Sequence, residues 1–297
     1  MPQRDKLEDM AKSLENSGDY RVLRRLPSHV SSGHTEGPLP HIGIVLDTET
    51  TGLDHELDQV IELGMVKFHF ASDGCIGPIV DRFQAFQEPE SPLSDEIARL
   101  TGLTAGDLCG QAIDPDAVAE FVREAALVIA HNAAFDRPFA ERLSASFAKV
   151  PWACSATDIN WKAEGVSSYR LENLLGHFGY FHDAHRAIAD CEALLFILSQ
   201  PLPVSEGTGF AALLRAARRP AARIFAEGAP FDARHALKRR GYRWNDGQNG
   251  YPRAWWRDVD PDAVDDELKF LASHETHPEA LVLRMSARDR FRSLVRN

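Results

Sequence analysis

Four cysteines are all that this 297-residue chain contains, Cys75, Cys109, Cys154 and Cys191, and no two of them form a C-x-x-C pair. That spacing argues against a zinc ribbon or a disulfide framework and fits a reducing, cytoplasmic compartment. Long apolar runs are lacking too. None approaches the roughly 20 residues needed to cross a bilayer, so no membrane partner is expected. The first twenty residues, MPQRDKLEDMAKSLENSGDY, have no apolar signal core and read as a polar helix. Internal repeats and low-complexity tracts are absent. Positive charge is scarce overall: the net charge is −11, which taken alone speaks against an anionic partner. The scarcity is uneven, however. Residues 39–203 hold 10 Lys+Arg against 25 Asp+Glu, whereas residues 211–257 hold 11 against 3. Such asymmetry suggests either an anionic partner for the basic segment or a solvated basic helix face.

Three segments follow from the pattern of the chain. Residues 1–38 read as a helical extension ending in a Ser/Gly/Pro-rich linker, LPSHVSSGHTEGPLP. Residues 39–203 open with three strands, at 41–47, 60–70 and 79–89, whose short connections predict an antiparallel meander. Helices and short strands then alternate. DPDAVAEFVREA carries Asp and Pro at its start, as helix N-termini do, and LVIA reads as a short buried strand. The expected class is α/β, a mixed sheet flanked by helices. Residues 204–297 read as a small basic, Trp-rich α+β module with a hairpin turning around Asn245–Gly250.

The first strand poses the chemical question. In IVLDTETTGLD an apolar run leads directly into Asp47 and Glu49. Side chains at i and i+2 of a strand share a face, so the two carboxylates converge. Burying such a pair is costly unless a cation lies between them. Two further stretches offer partners. HNAAFD places Asp136 at the start of a helix, and HRAIAD places His185 five residues before Asp190 at the opening of another.

These three stretches, D-T-E-T-T-G, H-N-A-A-F-D and H-R-A-I-A-D, resemble in content and order the three motifs of the DnaQ-like, or DEDDh, 3′→5′ exonucleases. That family includes proofreading subunits of bacterial DNA polymerase III and RNA-trimming enzymes. The resemblance covers about residues 41–200 and implies a ribonuclease H-like fold. It also implies two divalent cations, Mg²⁺ or Mn²⁺, held by Asp47, Glu49, Asp136 and Asp190. This agrees with the preference of hard cations for carboxylate oxygens. By the same resemblance His185 is the general base; an imidazole, titrating near 6.5, can accept a proton at neutral pH. Thr50, Thr51 and Gly52 would present backbone N–H groups to a terminal nucleotide, with Leu53 and Phe135 against the last base. Asn132 is expected to stabilise its turn and to lie near substrate. His131 either bonds to backbone or contacts substrate, and Glu62 is expected to hydrogen-bond behind the ligands.

The expected function is therefore a metal-dependent exonuclease acting on the frayed 3′ end of DNA. RNA trimming, or a tethering role within a polymerase or repair complex, remains an alternative. For the tail, Arg239, Arg240, Arg243, Arg253 and Arg257 with Trp244, Trp255 and Trp256 suit phosphate contact and base stacking. A small core with arginines on its surface, or a surface for docking a protein, would use the same residues.

Overall fold

The computed structural model describes residues 2–27, 37–247, 251–274 and 280–292. The middle of the expected linker and the tip of the expected hairpin therefore lie outside the described residues. A helix, α1 (Pro2–Asn16), leads to a two-residue strand, β1 (Arg24–Arg25). Arg24 is gripped by Glu8 and Glu15 of α1 at 2.8 and 3.0 Å.

Three long strands follow: β2 (His41–Thr50), β3 (Val60–Phe70) and β4 (Ile76–Phe86). They form the expected antiparallel meander. The third strand starts earlier than its apolar pattern predicts. A tight turn with Gly74 at φ 95° brings Cys75 O onto the Ala71 N–H at 2.9 Å, and Ile76 can then pair with Phe70 at once. Next come α2 (Asp95–Thr101), α3 (Ala105–Leu108) and α4 (Pro115–Val122). Asp114 caps α4 by accepting the Asp116 N–H at 2.9 Å, and Pro115 occupies the first turn, where no N–H is needed.

The parallel half of the sheet is built from β5 (Leu127–Ala130), α5 (Ala133–Leu143) and β6 (Trp152–Cys154). Then come α6 (Ser155–Asp158), α7 (Leu171–His177), a short β7 (Tyr180–Phe181) and α8 (Ala187–Ser199). The sheet order is β4-β3-β2-β5-β6, with β2 central, antiparallel to β3 and parallel to β5. Strand alternation sorts the core. Ile44 and Leu46 pack on one face with Phe139 of α5, while Val45 packs on the other with Leu194 and Leu198 of α8.

The basic segment begins with α9 (Gly209–Arg218), whose Phe210, Leu213 and Ala217 sink into the same core as α8. The Phe210 ring lies 5.5 Å from Phe68 and 5.2 Å from Phe70. Beyond it lie β8 (Ala221–Ala226), α10 (Arg234–Arg239), β9 (Arg243–Trp244), β10 (Trp255–Val259), α11 (Val264–Ala272) and β11 (Leu281–Met285). The four strands form an antiparallel sheet, β11-β8-β10-β9, and Trp244 pairs with Trp255 across β9 and β10.

After β11 the chain returns to the first sheet. The Trp152 N–H donates to Ala287 O at 2.8 Å, extending hydrogen bonding beyond β6. Arg137 of α5, wholly buried, donates to Arg290 O at 2.6 Å, Arg288 O at 2.7 Å and Glu141 at 2.7 Å. Burial pulls its pKa down to about 10, so it stays charged at neutral pH.

Candidate active site

The site forms where parallel strands β2 and β5 end, the usual crevice of an α/β sheet. Pairing of β2 with β5 stops at Val45–Ile129, so the last residues of β2 project past it. Asp47 and Glu49 follow Val45 on the face covered by α8. Their partners in β3 are Gly64 and Glu62. Gly64 is what lets α8 come close. A Cβ there would stand 2.5 Å from the Ala187 carbonyl carbon and 2.6 Å from the Ile188 nitrogen, so any side chain would push away the helix that carries Asp190.

Thr48 points to the opposite face, toward α5. Its N–H and hydroxyl both donate to Asp136 Oδ1, at 3.1 and 2.9 Å, which fixes this buried carboxylate beside the strand end. Glu62 is fully buried and accepts from Gln84 at 2.6 Å and from Arg186 at 3.2 Å. It thus stands behind Glu49 with a partner on each oxygen.

His185 adopts φ 64°, a left-handed conformation that is uncommon and strained outside glycine. That turn aims its backbone N–H at Asp190 Oδ2, 3.0 Å away. Its ring remains partly exposed and lies 3.8 Å from Glu172. Ligand atoms of Glu49, His185 and Asp190 all lie within 4.8 Å of one another. Sequence reasoning missed two supporting groups. One is Thr48. The other is His182, whose Nε2 bonds to Asp190 Oδ1. The signal for His182 was its place three residues before His185 in FHDAH, a spacing that does not by itself say which histidine faces which acid.

The turn after Glu49 is organised by Asp58, which accepts from the Thr51 hydroxyl at 3.0 Å and the Asp54 N–H at 2.8 Å. The Thr51 N–H is donated to Gln59 O at 2.9 Å, and the Thr50 hydroxyl to Gly52 O at 2.6 Å. A Cβ on Gly52 would meet the Asp58 carboxylate at 2.4 Å. Leu53 is 87% exposed, far more than burial energetics favours for a leucine. Asn132 sits exposed at the start of α5, and the half-buried Phe135 ring lies 5.1 Å from Phe139. His131 is held between the Ser155 hydroxyl at 2.7 Å and Tyr169 O at 2.6 Å, and burial keeps its pKa below the usual value.

The electrostatics are those of crowded acids. Burial, then the charges of Asp136, Asp190, Glu49 and Glu62, hold the Asp47 carboxyl well above the carboxylate range. Burial, then Asp190, Glu62 and Asp136, pushes Glu49 up to about 8. Burial pushes Asp136 up to about 7 against the pull of its Thr48 hydrogen bonds. An all-oxygen carboxylate set this close, with Asp47, Glu49 and Asp136 resisting ionisation, fits hard divalent cations.

The sign of the pH effect follows. In the unfolded chain these groups ionise near 4. Between about pH 4 and about pH 8 the metal-free native state retains protons that the unfolded state has released, so stability falls as pH rises. Divalent cations held by the ionised native form would oppose that loss. The increase in Tm on replacing EDTA with Mg²⁺ is therefore expected to be small near about pH 5.5 and large near about pH 8. Thermal melts at both pH values check this; an increase independent of pH would remove these carboxylates from the binding site.

Comparison with known proteins agrees with the geometry. The RNase T family profile, described as an exonuclease, matches residues 44–198. The PolC-type DNA polymerase III of Halalkalibacterium halodurans is 35% identical over 158 residues, 50% of this chain and 10% of that protein. Its Bacillus subtilis counterpart is 34% identical over 168 residues, 54% of this chain and 11% of that protein. The match thus spans about a tenth of these relatives' length. Escherichia coli exonuclease I, solved with a dA16 oligonucleotide, shares the fold. Its TM-score is 0.51 at 13% identity, over 80% of this chain and 72% of that one.

Proposed function

The chain belongs to the RNase T exonuclease family of hydrolases, and from that membership we propose a metal-dependent 3′→5′ exonuclease that releases nucleoside 5′-monophosphates from single-stranded or frayed DNA ends. The observation that carries this reading is the convergence of Glu49, His185 and Asp190 within 4.8 Å, at the end of the strand that also bears Asp47. Asp47, Glu49, Asp136 and Asp190 would hold two divalent cations, Mg²⁺ or Mn²⁺, which when bound supply charge stabilisation and a more acidic water.

The chain's own groups do the rest. His185, with a ring that is partly open to solvent, accepts the proton of the attacking water. The water oxygen bonds to phosphorus as the bond to the 3′ oxygen of the preceding nucleotide breaks. The released nucleotide keeps the phosphate, and the departing 3′ oxygen takes a proton from solvent to leave the shortened strand with a 3′ hydroxyl. His182 and the His185 N–H together fix both oxygens of Asp190. Leu53 and Phe135 offer apolar surface to the terminal base, a contact indifferent to sequence.

DNA is favoured over RNA because the relatives at 34–35% identity are DNA polymerases. The test is cleavage of 5′-labelled, 3′-unpaired DNA and RNA strands of identical sequence in Mg²⁺, Mn²⁺ or EDTA. A metal-dependent ladder shortening from the 3′ end, faster on DNA, is expected. A ladder faster on RNA would reassign the substrate, and no cleavage by folded protein with either metal would overturn the enzymatic reading in favour of a tethering role.

A further inference from the structure

Taking the exonuclease reading as its basis, we propose that the groove between the strand-end site and the basic C-terminal segment is a track for the single-stranded DNA that trails behind the 3′ end. The groove, about 1210 Å³, is lined by Leu53 just after the first motif, by Asn132 and Phe135 of the second, and also by Arg215, Arg219, Arg243 and Trp244. Residues expected near the last nucleotide and residues of the basic segment thus share one concave surface, which neither part of the sequence shows alone.

Charge decides what the surface can hold. Seven arginines and five carboxylates line it. Four of the arginines are neutralised in ion pairs: Arg223 with Asp258 at 2.7 Å, Arg257 with Glu267 at 3.6 Å, Arg292 with Glu141 at 3.1 Å, and Arg290 with Asp158. Of the lining acids, Glu56 and Asp260 take no part in an ion pair among the described residues, and Asp260 accepts the Asp262 N–H at 3.0 Å. Arg215, Arg219 and Arg243 are exposed and have no carboxylate partner among the described residues. Three guanidiniums without a carboxylate partner, of which Arg243 lies 5.7 Å from the Trp256 ring, suit successive phosphates in a concavity.

Trp244 supplies the other half of the chemistry. It is 51% exposed, yet its ring is braced edge-on by Trp255 at 5.5 Å, so one face is held ready for a base. Trp256, by contrast, is covered by Arg223 at 4.2 Å. The same lining explains why an acidic protein would carry its positive charge in one segment. The catalytic half holds the cluster of acids that a cation needs, and the other half attracts the polyanion.

The test uses the full chain and a 5′-fluorescein oligothymidylate of about 20 nucleotides, longer than common single-strand sites. Fluorescence anisotropy is measured in EDTA, where no cleavage occurs, across a salt series. Arg215→Ala/Arg219→Ala/Arg243→Ala is expected to weaken binding at least about tenfold. It should also flatten the slope of log K against log salt by about 2, at roughly 0.7 per phosphate contact. Trp244→Ala is expected to weaken binding about tenfold with an unchanged slope. Lys12→Ala/Arg123→Ala/Arg284→Ala removes equal charge from exposed positions outside the groove and is expected to change little.

In Mg²⁺ the groove variant should raise KM for the long strand while leaving turnover of a dinucleotide unchanged. Equal affinity and slope for wild type and groove variant would overturn the track, as would an equal loss in the control variant. A wild type that binds through these arginines but cleaves nothing would uphold the track and refute the exonuclease reading, so the two can fail separately.

Discussion

Asp47→Asn is expected to fold, to melt higher than wild type in EDTA near about pH 8, and to cleave on the order of 10³-fold more slowly, a barrier change of about 4 kcal/mol. The three outcomes have one cause. Asp47 is buried among Asp136, Asp190, Glu49 and Glu62, and burial, then their charges, opposes its ionisation. The amide keeps the shape of the side chain and cannot ionise. Without metal that relieves repulsion, and a gain of about 1 kcal/mol corresponds to roughly 2–4 °C in a chain of this size. With Mg²⁺ the order should invert, because the wild type gains binding energy that the variant has lost. Circular dichroism confirms the fold, melts in EDTA and Mg²⁺ give the inversion, and the labelled-strand assay gives the rate. Near wild-type cleavage by this variant would remove Asp47 from the reaction.

The second large effect is expected far from solvent. Arg137→Ala should destabilise the protein by about 3–5 kcal/mol, the range for breaking a buried, hydrogen-bonded charge. The guanidinium ties α5 to the carbonyls of Arg288 and Arg290 at 2.7 and 2.6 Å and lies 5.4 Å from the Trp152 ring. Truncation leaves a cavity and two carbonyls without their donor. Glu141 still has Arg292 at 3.1 Å, which limits the damage on that side. Arg137→Lys keeps the charge but not the fork, and should fall between. Urea unfolding reads the loss. Amide exchange of Trp152, whose N–H is bonded to Ala287 O at 2.8 Å, reads whether residues 286–292 have come away from β6. A loss under about 1 kcal/mol with Trp152 still protected would mean that the segment is held by other contacts. Because Arg137 directly follows Asp136, a drop in cleavage should accompany release.

How much of this could be read beforehand depended on range. The apolar run ending in Asp47 and Glu49 carried the central strand and its acids in eleven letters, because strand alternation is local. Asp114 and Pro115 announced α4, because caps act within one turn. The support of the site was not visible. Thr48 reaches Asp136 across 88 residues, and Glu62 meets Arg186 across 124. No period or spacing encodes such partners. His182 was closer to hand, but only the left-handed turn at His185 shows that one histidine clamps Asp190 with its ring while the other uses its backbone. The basic segment read as part of a separate module, and that its first helix, α9, fills the core beside α8 was not legible.

The clasp at Arg137 also sets an order of events during synthesis. Its two carbonyl partners lie 151 and 153 residues downstream. A ribosome therefore releases all four acids of the site, and α5 among them, long before the segment that secures α5 exists. Contacts of such span form slowly, since so much chain must be closed before they stabilise anything. The nascent nuclease half carries its crowded carboxylates with β6 still open at its outer edge, and residues 286–292 reach that edge only after β11, the last strand of the second sheet, has been made. The outer edge of β6 is thus among the last parts of the first sheet to be covered.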